Sequence, residues 1–227
     1  HELANDKNKM DMVGVNAIYS NTFAFAAVLN NGCVVTWGKK ETGGDIPDAK
    51  RDILKNNKVV EIYSTSNAFA ALLENGSVVT WGDVNSGGDS TSAQPDLKRV
   101  KEIYSNGHAF VAELNDGNFV AWGIAVYGGT IPNNVKTDLK TGSAKNIYST
   151  GYAFAALKYD GSVVAWGDPR YGGKKPEELN GVKVTEIYST KYTFAAVLKD
   201  GSVLTWGKTT DGLDTTSVRN KISNAKA

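Results

Sequence analysis

One stretch recurs five times along the 227 residues and constrains the fold more than anything else in the chain. It runs IYSTSNAFAALLENGSVVTWG from Ile62 to Gly82, and near-copies start at Ile18, Ile103, Ile147 and Ile187. From the starting Ile to the closing Trp the distance is 19 residues in every copy. All length variation lies between copies, where the gap from Trp to the next Ile is 25, 22, 25 and 21 residues. A period of 40 to 44 residues makes the whole chain, 1–227, one repeat array. The alternation of long and short gaps suggests a duplicated pair of repeats.

Each copy holds a turn signal: Asn31-Gly32, Asn75-Gly76, Asp116-Gly117, Asp160-Gly161 and Asp200-Gly201. Such dipeptides suit two-residue type I′ loops between antiparallel strands. With Asn75-Gly76 as the loop, Leu73 is expected opposite Val78, Leu72 opposite Val79, Ala71 opposite Thr80 and Ala70 opposite Trp81. Both faces of this hairpin are apolar, which requires a sheet covered on both sides by others like itself. A third strand precedes the hairpin, as at 58–64, with Val60 and Ile62 alternating against Val59, Glu61 and Tyr63. The remainder, 47–54 or 93–100, fits a short helix or a fourth edge strand. The fold class is therefore all-β: a β-propeller of five repeats, each of three to four short antiparallel strands. An open β-solenoid or a fragment of a larger propeller is the alternative. Segments 1–17 and 208–227 have the length to complete a shared blade. The start at His1 reads as an excised or processed segment.

These residues resemble the regulator of chromosome condensation repeat family. The third copy carries the likeness best, with Asn106-Gly107-His108 before Ala109 to Leu114, then Asp116-Gly117, then Phe119 to Gly123. The resemblance implies a seven-bladed propeller with four-stranded blades. Where the family has a Gly-Gln-Leu-Gly loop, this chain has Gly43-Gly44, Gly87-Gly88, Gly128-Gly129 and Gly172-Gly173, and finally Gly212-Leu213. The founding member's exchange activity on a small GTPase depends on loops that find no match here.

Composition excludes several classes. Lys plus Arg number 25 against 24 Asp plus Glu, so no net field draws the chain to nucleic acid or an anionic membrane. No apolar run approaches the ~18 residues of a membrane span. Cys33 is the sole cysteine and stands where other copies have Ser77, Ser162 and Ser202. With two histidines and one cysteine, no zinc site is expected, and no cofactor is implied. Asp83 to Asp89 has oxygen donors at alternate positions, but Gln94 stands where a calcium loop needs its bidentate Glu, so a plain turn is expected. No nucleophile elbow accompanies any Ser, and His108 is the sole interior His, so the chain reads as no enzyme.

What varies over the constant frame is informative. Strand direction puts the Ile-Tyr-Ser loop and the loop after Trp-Gly at one end of each blade. Five residues after each Ile stand Phe23, Asn67, His108, Tyr152 and Tyr192; five after each Trp stand Thr42, Ser86, Tyr127, Tyr171 and Asp211. Phe23, Asn67, His108, Tyr152, Tyr192, Tyr127 and Tyr171 are the candidate binding rim. Aromatic faces beside amides and hydroxyls suit protein loops or sugars. A protein partner is favoured, because five identical sugar sites would not need a variable rim. A lectin-like module is second, and an exchange factor third. Abundant Asn, Thr, Ser and Tyr with a single Cys favours an extracellular or cell-surface setting over the cytoplasm.

Overall fold

The computed structural model describes residues 14–208. Each repeat folds into a three-stranded antiparallel sheet. Blade 1 is β1 (Val15–Ser20), β2 (Ala24–Leu29) and β3 (Val34–Gly38); blade 2 is β4 (Val59–Ser64), β5 (Ala68–Leu73) and β6 (Val78–Gly82). Blade 3 is β7 (Val100–Ser105), β8 (Ala109–Leu114) and β9 (Phe119–Gly123). Blade 4 is β10 (Ala144–Ser149), β11 (Ala153–Lys158) and β12 (Val163–Gly167), and blade 5 is β13 (Val184–Ser189), β14 (Thr193–Leu198) and β15 (Val203–Gly207). The first strands of successive blades lie side by side around an axis. This is the stacked, radially arranged architecture of a β-propeller. The idea that 1–17 and 208–227 complete a shared blade falls largely outside the described residues; within them, 15–17 belong to β1.

The expected hairpin register is off by one. Leu72 faces Val78, Ala71 faces Val79, Ala70 faces Thr80 and Phe69 faces Trp81. The turn is the cause. Gly76 N–H donates to Leu73 O at 2.8 Å, and Leu73 N–H donates to Ser77 O at 2.9 Å. Only Gly76 of the pair has positive φ, at 78°. That is a type I turn followed by a left-handed glycine, a three-residue loop with a bulge, and not the mirror-image two-residue turn. The Asn75 side chain locks it by accepting from Ser77 N–H at 2.9 Å.

The shift has a structural consequence: Trp sits opposite Phe, not opposite Ala. Phe69 and Trp81 stack with centroids 5.4 Å apart, and every blade repeats the pair at 5.0–5.4 Å. One face of blade 2 is thus Phe-Ala-Leu with Val and Trp, and the other is Ala-Ala-Leu with Val and Thr; the Phe, the central Ala and the Trp of the first face recur in every blade. The bulky face of one blade packs on the small face of the blade before it. Ala24, Ala26 and Val28 of blade 1 meet Phe69, Ala71, Val79 and Trp81 of blade 2. The linkers fill the seams, with Ile46 and Leu54 in the first, Ala93 and Leu97 in the second, Ile131, Val135 and Leu139 in the third and Leu179 in the fourth. Three of the indoles also reach the preceding linker: Trp81, Trp122 and Trp206 donate to the carbonyls of Gly43, Gly87 and Gly172 at 3.1 Å, while Trp166 Nε1 is buried without a partner.

No fourth strand forms among the described residues. The two long linkers instead become α1 (Asp48–Asn56) and α2 (Asn133–Gly142), each entered through Pro47 or Pro132. The short linkers make only turns, one-turn 3-10 segments and a π-type turn at Val84–Gly88. Helix α1 lies along β6 and α2 along β12. No helix among the described residues is long and apolar enough to cross a membrane.

Candidate functional site

The Ile-Tyr-Ser end of the propeller is built by one device used in every blade. The residue three after the repeat Ile is Asn or Thr, and its side chain closes a local turn. Asn106 Oδ1 accepts from the N–H groups of His108 and Ala109 at 2.8 Å each. The same side chain joins the two rim loops: Asn106 Nδ2 donates to Tyr127 O at 2.7 Å, Thr65 Oγ1 to Ser86 O at 3.0 Å and Thr150 Oγ1 to Tyr171 O at 3.0 Å. Asn21 does likewise to Thr42 O at 2.6 Å. In blades 1 to 4 the positions five after Ile and five after Trp are therefore fixed relative to each other by these partly buried hydrogen bonds.

A backbone belt then ties one blade's loop to the next. Thr22 N–H donates to Ser66 O, Ser66 N–H to Gly107 O, Gly107 N–H to Gly151 O and Gly151 N–H to Lys191 O, at 2.7–3.2 Å. The belt ties the loops of the five blades to one another while the side chains above it differ. Around the axis the loops leave a polar depression of about 420 Å³ between Asn21, Thr65 and Asn106.

On this frame the rim residues separate into two groups. His108, Tyr127, Tyr152, Tyr171 and Tyr192 form one continuous aromatic cluster across blades 3, 4 and 5. Tyr152 is its hub, at 5.1 Å from His108, 5.1 Å from Tyr127, 4.5 Å from Tyr171 and 6.1 Å from Tyr192. Phe23 and Asn67, on blades 1 and 2, are not part of it. Phe23 is 55% exposed and has Lys39 Nζ 5.5 Å from its ring centroid. Asn67 is half-buried. Asp211 lies outside the described residues.

Cations flank the cluster, and repeat counting alone did not point to them. Lys191 and Lys208 stand 5.4 and 4.9 Å from the Tyr192 ring, and Arg170 stands 5.5 Å from that of Tyr171. Arg170 is held there by the buried Asp168, which it grips through Nε at 3.1 Å and Nη2 at 2.7 Å. This pairing holds the Asp168 carboxyl below the usual carboxylate range. A basic residue beside two of the four variable tyrosines was the signal in the sequence: Arg170-Tyr171 and Lys191-Tyr192 are adjacent.

His108 is the polar member of the cluster. Its Nδ1 is buried and has no hydrogen-bond partner. Burial first, and the Lys191 charge second, push its pKa below the ordinary imidazole value. It is therefore a neutral ring packed between two tyrosines.

The suspected calcium loop is a turn. Asp83 Oδ1 accepts from Ser86 N–H at 2.7 Å, and Asp89 Oδ1 accepts from Thr91 N–H at 2.9 Å, so both carboxylates serve their own backbone. Among the described residues no three His, Cys, Asp or Glu side chains converge.

Comparison with known proteins supports the architecture. The chain is similar to yeast RCC1 (Prp20), solved bound to Kap60, at 19% identity and a TM-score of 0.56 over 88% of this chain and 57% of that one. It is similar at 17% identity and TM-score 0.57 to the ectodomain of the Physcomitrella patens receptor kinase CR4, over 88% and 54%. Human WBSCR16 matches at 16% identity and TM-score 0.52, over 92% and 63%. The chain thus spans between about half and two thirds of the length of these structures. No family model and no curated protein sequence matches it. The propeller fold expected from the repeat, of the kind found in regulator of chromosome condensation proteins, is the fold observed.

Proposed function

We propose that the chain is a non-enzymatic binding propeller whose rim across blades 3, 4 and 5 docks a protein partner. The observation that carries this reading is the Tyr152-centred aromatic cluster, with three cations beside it, on loops fixed by backbone hydrogen bonds. Pre-positioned aromatic rings lose little entropy on binding, and Tyr with Arg is the composition of interface hot spots. The yeast neighbour solved with Kap60 and the ectodomain neighbour lend it general support, as propellers can serve as protein-binding scaffolds. An extracellular or cell-surface setting remains part of this reading.

A lectin-like module with one site per blade is the second reading, and the asymmetry speaks against it: blades 1 and 2 contribute no ring to the cluster. An exchange factor for a small GTPase is the third. The test is affinity capture with tagged chain beside a glycan screen and a nucleotide-release assay on the same preparation. Tyr152→Ala is expected to weaken the captured partner by at least ~10-fold, and Phe23→Ala by less than ~3-fold. Equal effects of the two variants would sink the proposal. Several equivalent glycan sites would establish the lectin instead.

A further inference from the structure

Among the described residues the third strand of each blade ends its sheet, and the chain treats these edges differently. In blade 2 the edge is plugged. Lys50 Nζ, reaching from α1, donates to Thr80 O at 2.5 Å and to Gly88 O at 3.2 Å. From the other side Gln94 Nε2 donates to Val78 O at 3.1 Å and is held by Ser90 Oγ at 2.8 Å. Covering an edge strand in this way prevents it from pairing with another chain. The space left along β6 is about 350 Å³.

Blade 3 has no such plug. The linker before it is a short one and makes turns where α1 and α2 stand elsewhere, so no α-helix lies along β9 and the π-type turn at Val84–Gly88 packs on it instead. Phe119 and Ala121 occupy the places of Val78 and Thr80 in the repeat, and pair inward with Glu113 and Val111 as those pair with Leu72 and Ala70. Their carbonyls therefore point outward. Among the described residues no side chain reaches either one. Beside them lies a groove of about 1210 Å³, more than three times the space at β6, with Ala93, Leu114 and Ile131 at its base and three acidic and three basic side chains around it, Asp116 and Lys136 among them.

We propose that this open edge of β9 is a second binding site, which takes an extended peptide segment as a fourth strand of blade 3. The chemistry of the occupant follows from the edge. Residues 119 and 121 each present an outward N–H and C=O two positions apart, a spacing of roughly 6.6–6.8 Å. Only another extended backbone offers complementary groups at that repeat. The apolar side chains in the groove select small or aliphatic residues at alternate positions. The balanced charges demand no net charge of the segment. The site is separate from the aromatic rim, and neither reading depends on the other.

A random-peptide display library selected on the intact chain tests this. Selected peptides are expected to lose at least ~10-fold in affinity for Ala121→Pro, because proline removes the outward donor and obstructs an added strand while leaving the inward pairing of the edge strand in place. On the unaltered chain, N-methylation of alternate peptide amides in one phase is expected to abolish binding, and in the other to leave it. Amide exchange at Phe119 and Ala121 should slow when such a peptide is added and stay unchanged with an N-methylated one. The inference is overturned if no selected peptide responds to Ala121→Pro, if both methylation phases bind alike, or if protection appears elsewhere than β9. The last two readings use the native chain, so they decide the matter even if the proline variant fails to fold.

Discussion

Phe25 and Phe69 hold the same place in the repeat, each on the second strand of its blade and each stacked on the Trp across from it, at 5.2 and 5.4 Å. Yet Phe69 is 0% exposed and Phe25 is 43% exposed. Ile18 and Ile62 differ in the same way, at 59% and 3%. Local sequence and local geometry are nearly the same, so the difference is made by what lies against the face. Blades 2 to 5 each lay this face on the small-residue face of the blade before. Among the described residues blade 1 has no such neighbour, and four seams join five blades. The repeat thus specifies the hairpin locally, while its stability comes from the interface with the next copy, as in arrays whose energy is largely a nearest-neighbour sum.

The sharpest way to break this comparison is to delete the indole on both sides of it. Trp81→Ala is expected to cost ~3–5 kcal/mol, as for a fully buried large aromatic. Trp37→Ala, on the partly exposed face, should cost less than half as much. Chemical denaturation of the two variants measures both. Equal losses would show that the seam is not where the stability lies, and a loss below ~1 kcal/mol for Trp81 would refute blade stacking altogether.

A second contrast sets a seam glycine against a turn glycine. Gly87 has φ of 95°, and a Cβ there would stand 2.6 Å from the Phe110 ring. Gly117 has φ of 79° but nothing within 4 Å of its would-be Cβ. Both alanine variants carry the left-handed backbone cost of roughly 1–2 kcal/mol, and Gly87→Ala adds an overpacking cost of roughly 1–3 kcal/mol. The order Gly87 worse than Gly117 is the expected outcome in thermal or denaturant unfolding. The reverse order would mean that the seam yields more easily than the turn.

The seam was largely legible in the sequence, because the 19-residue spacing and the two apolar faces allow little else than stacked small sheets. The register was not. Asn-Gly and Asp-Gly serve both the two-residue and the three-residue loop, and the choice rests on the φ of the Asn or Asp, which the sequence does not display. That single residue of slip decides whether Trp81 covers Ala70 or Phe69. The rim positions were legible as variables over a constant frame, and five of the seven candidates do meet. That Phe23 and Asn67 stand apart follows from side-chain reach, which repeat counting does not carry. The open edge of β9 depends on a missing helix and on Lys50 having no counterpart, features visible only once the strands are paired.

At the rim the same contrast separates Phe23 from His108, which share one repeat position. His108 lies 4.9 Å from Tyr127 and 5.1 Å from Tyr152, and burial with the Lys191 charge holds its pKa below the ordinary value of about 6.5. The folded chain therefore refuses a proton that the unfolded chain accepts. Above the unfolded pKa this group contributes no pH dependence. As pH falls from about 6.5 towards the lowered folded value, the unfolded state binds more protons and stability declines, levelling off below it. His108→Gln should remove that decline. A histidine placed at the exposed blade 1 position, Phe23→His, should titrate near the ordinary value and leave stability flat over the same range. Proton NMR titration of the imidazole signals in the two backgrounds reads both expectations. If His108 titrates at or above the value of the Phe23→His imidazole, the Tyr152-centred cluster does not exclude water from its ring, and the rim of blade 3 is no more a built surface than that of blade 1.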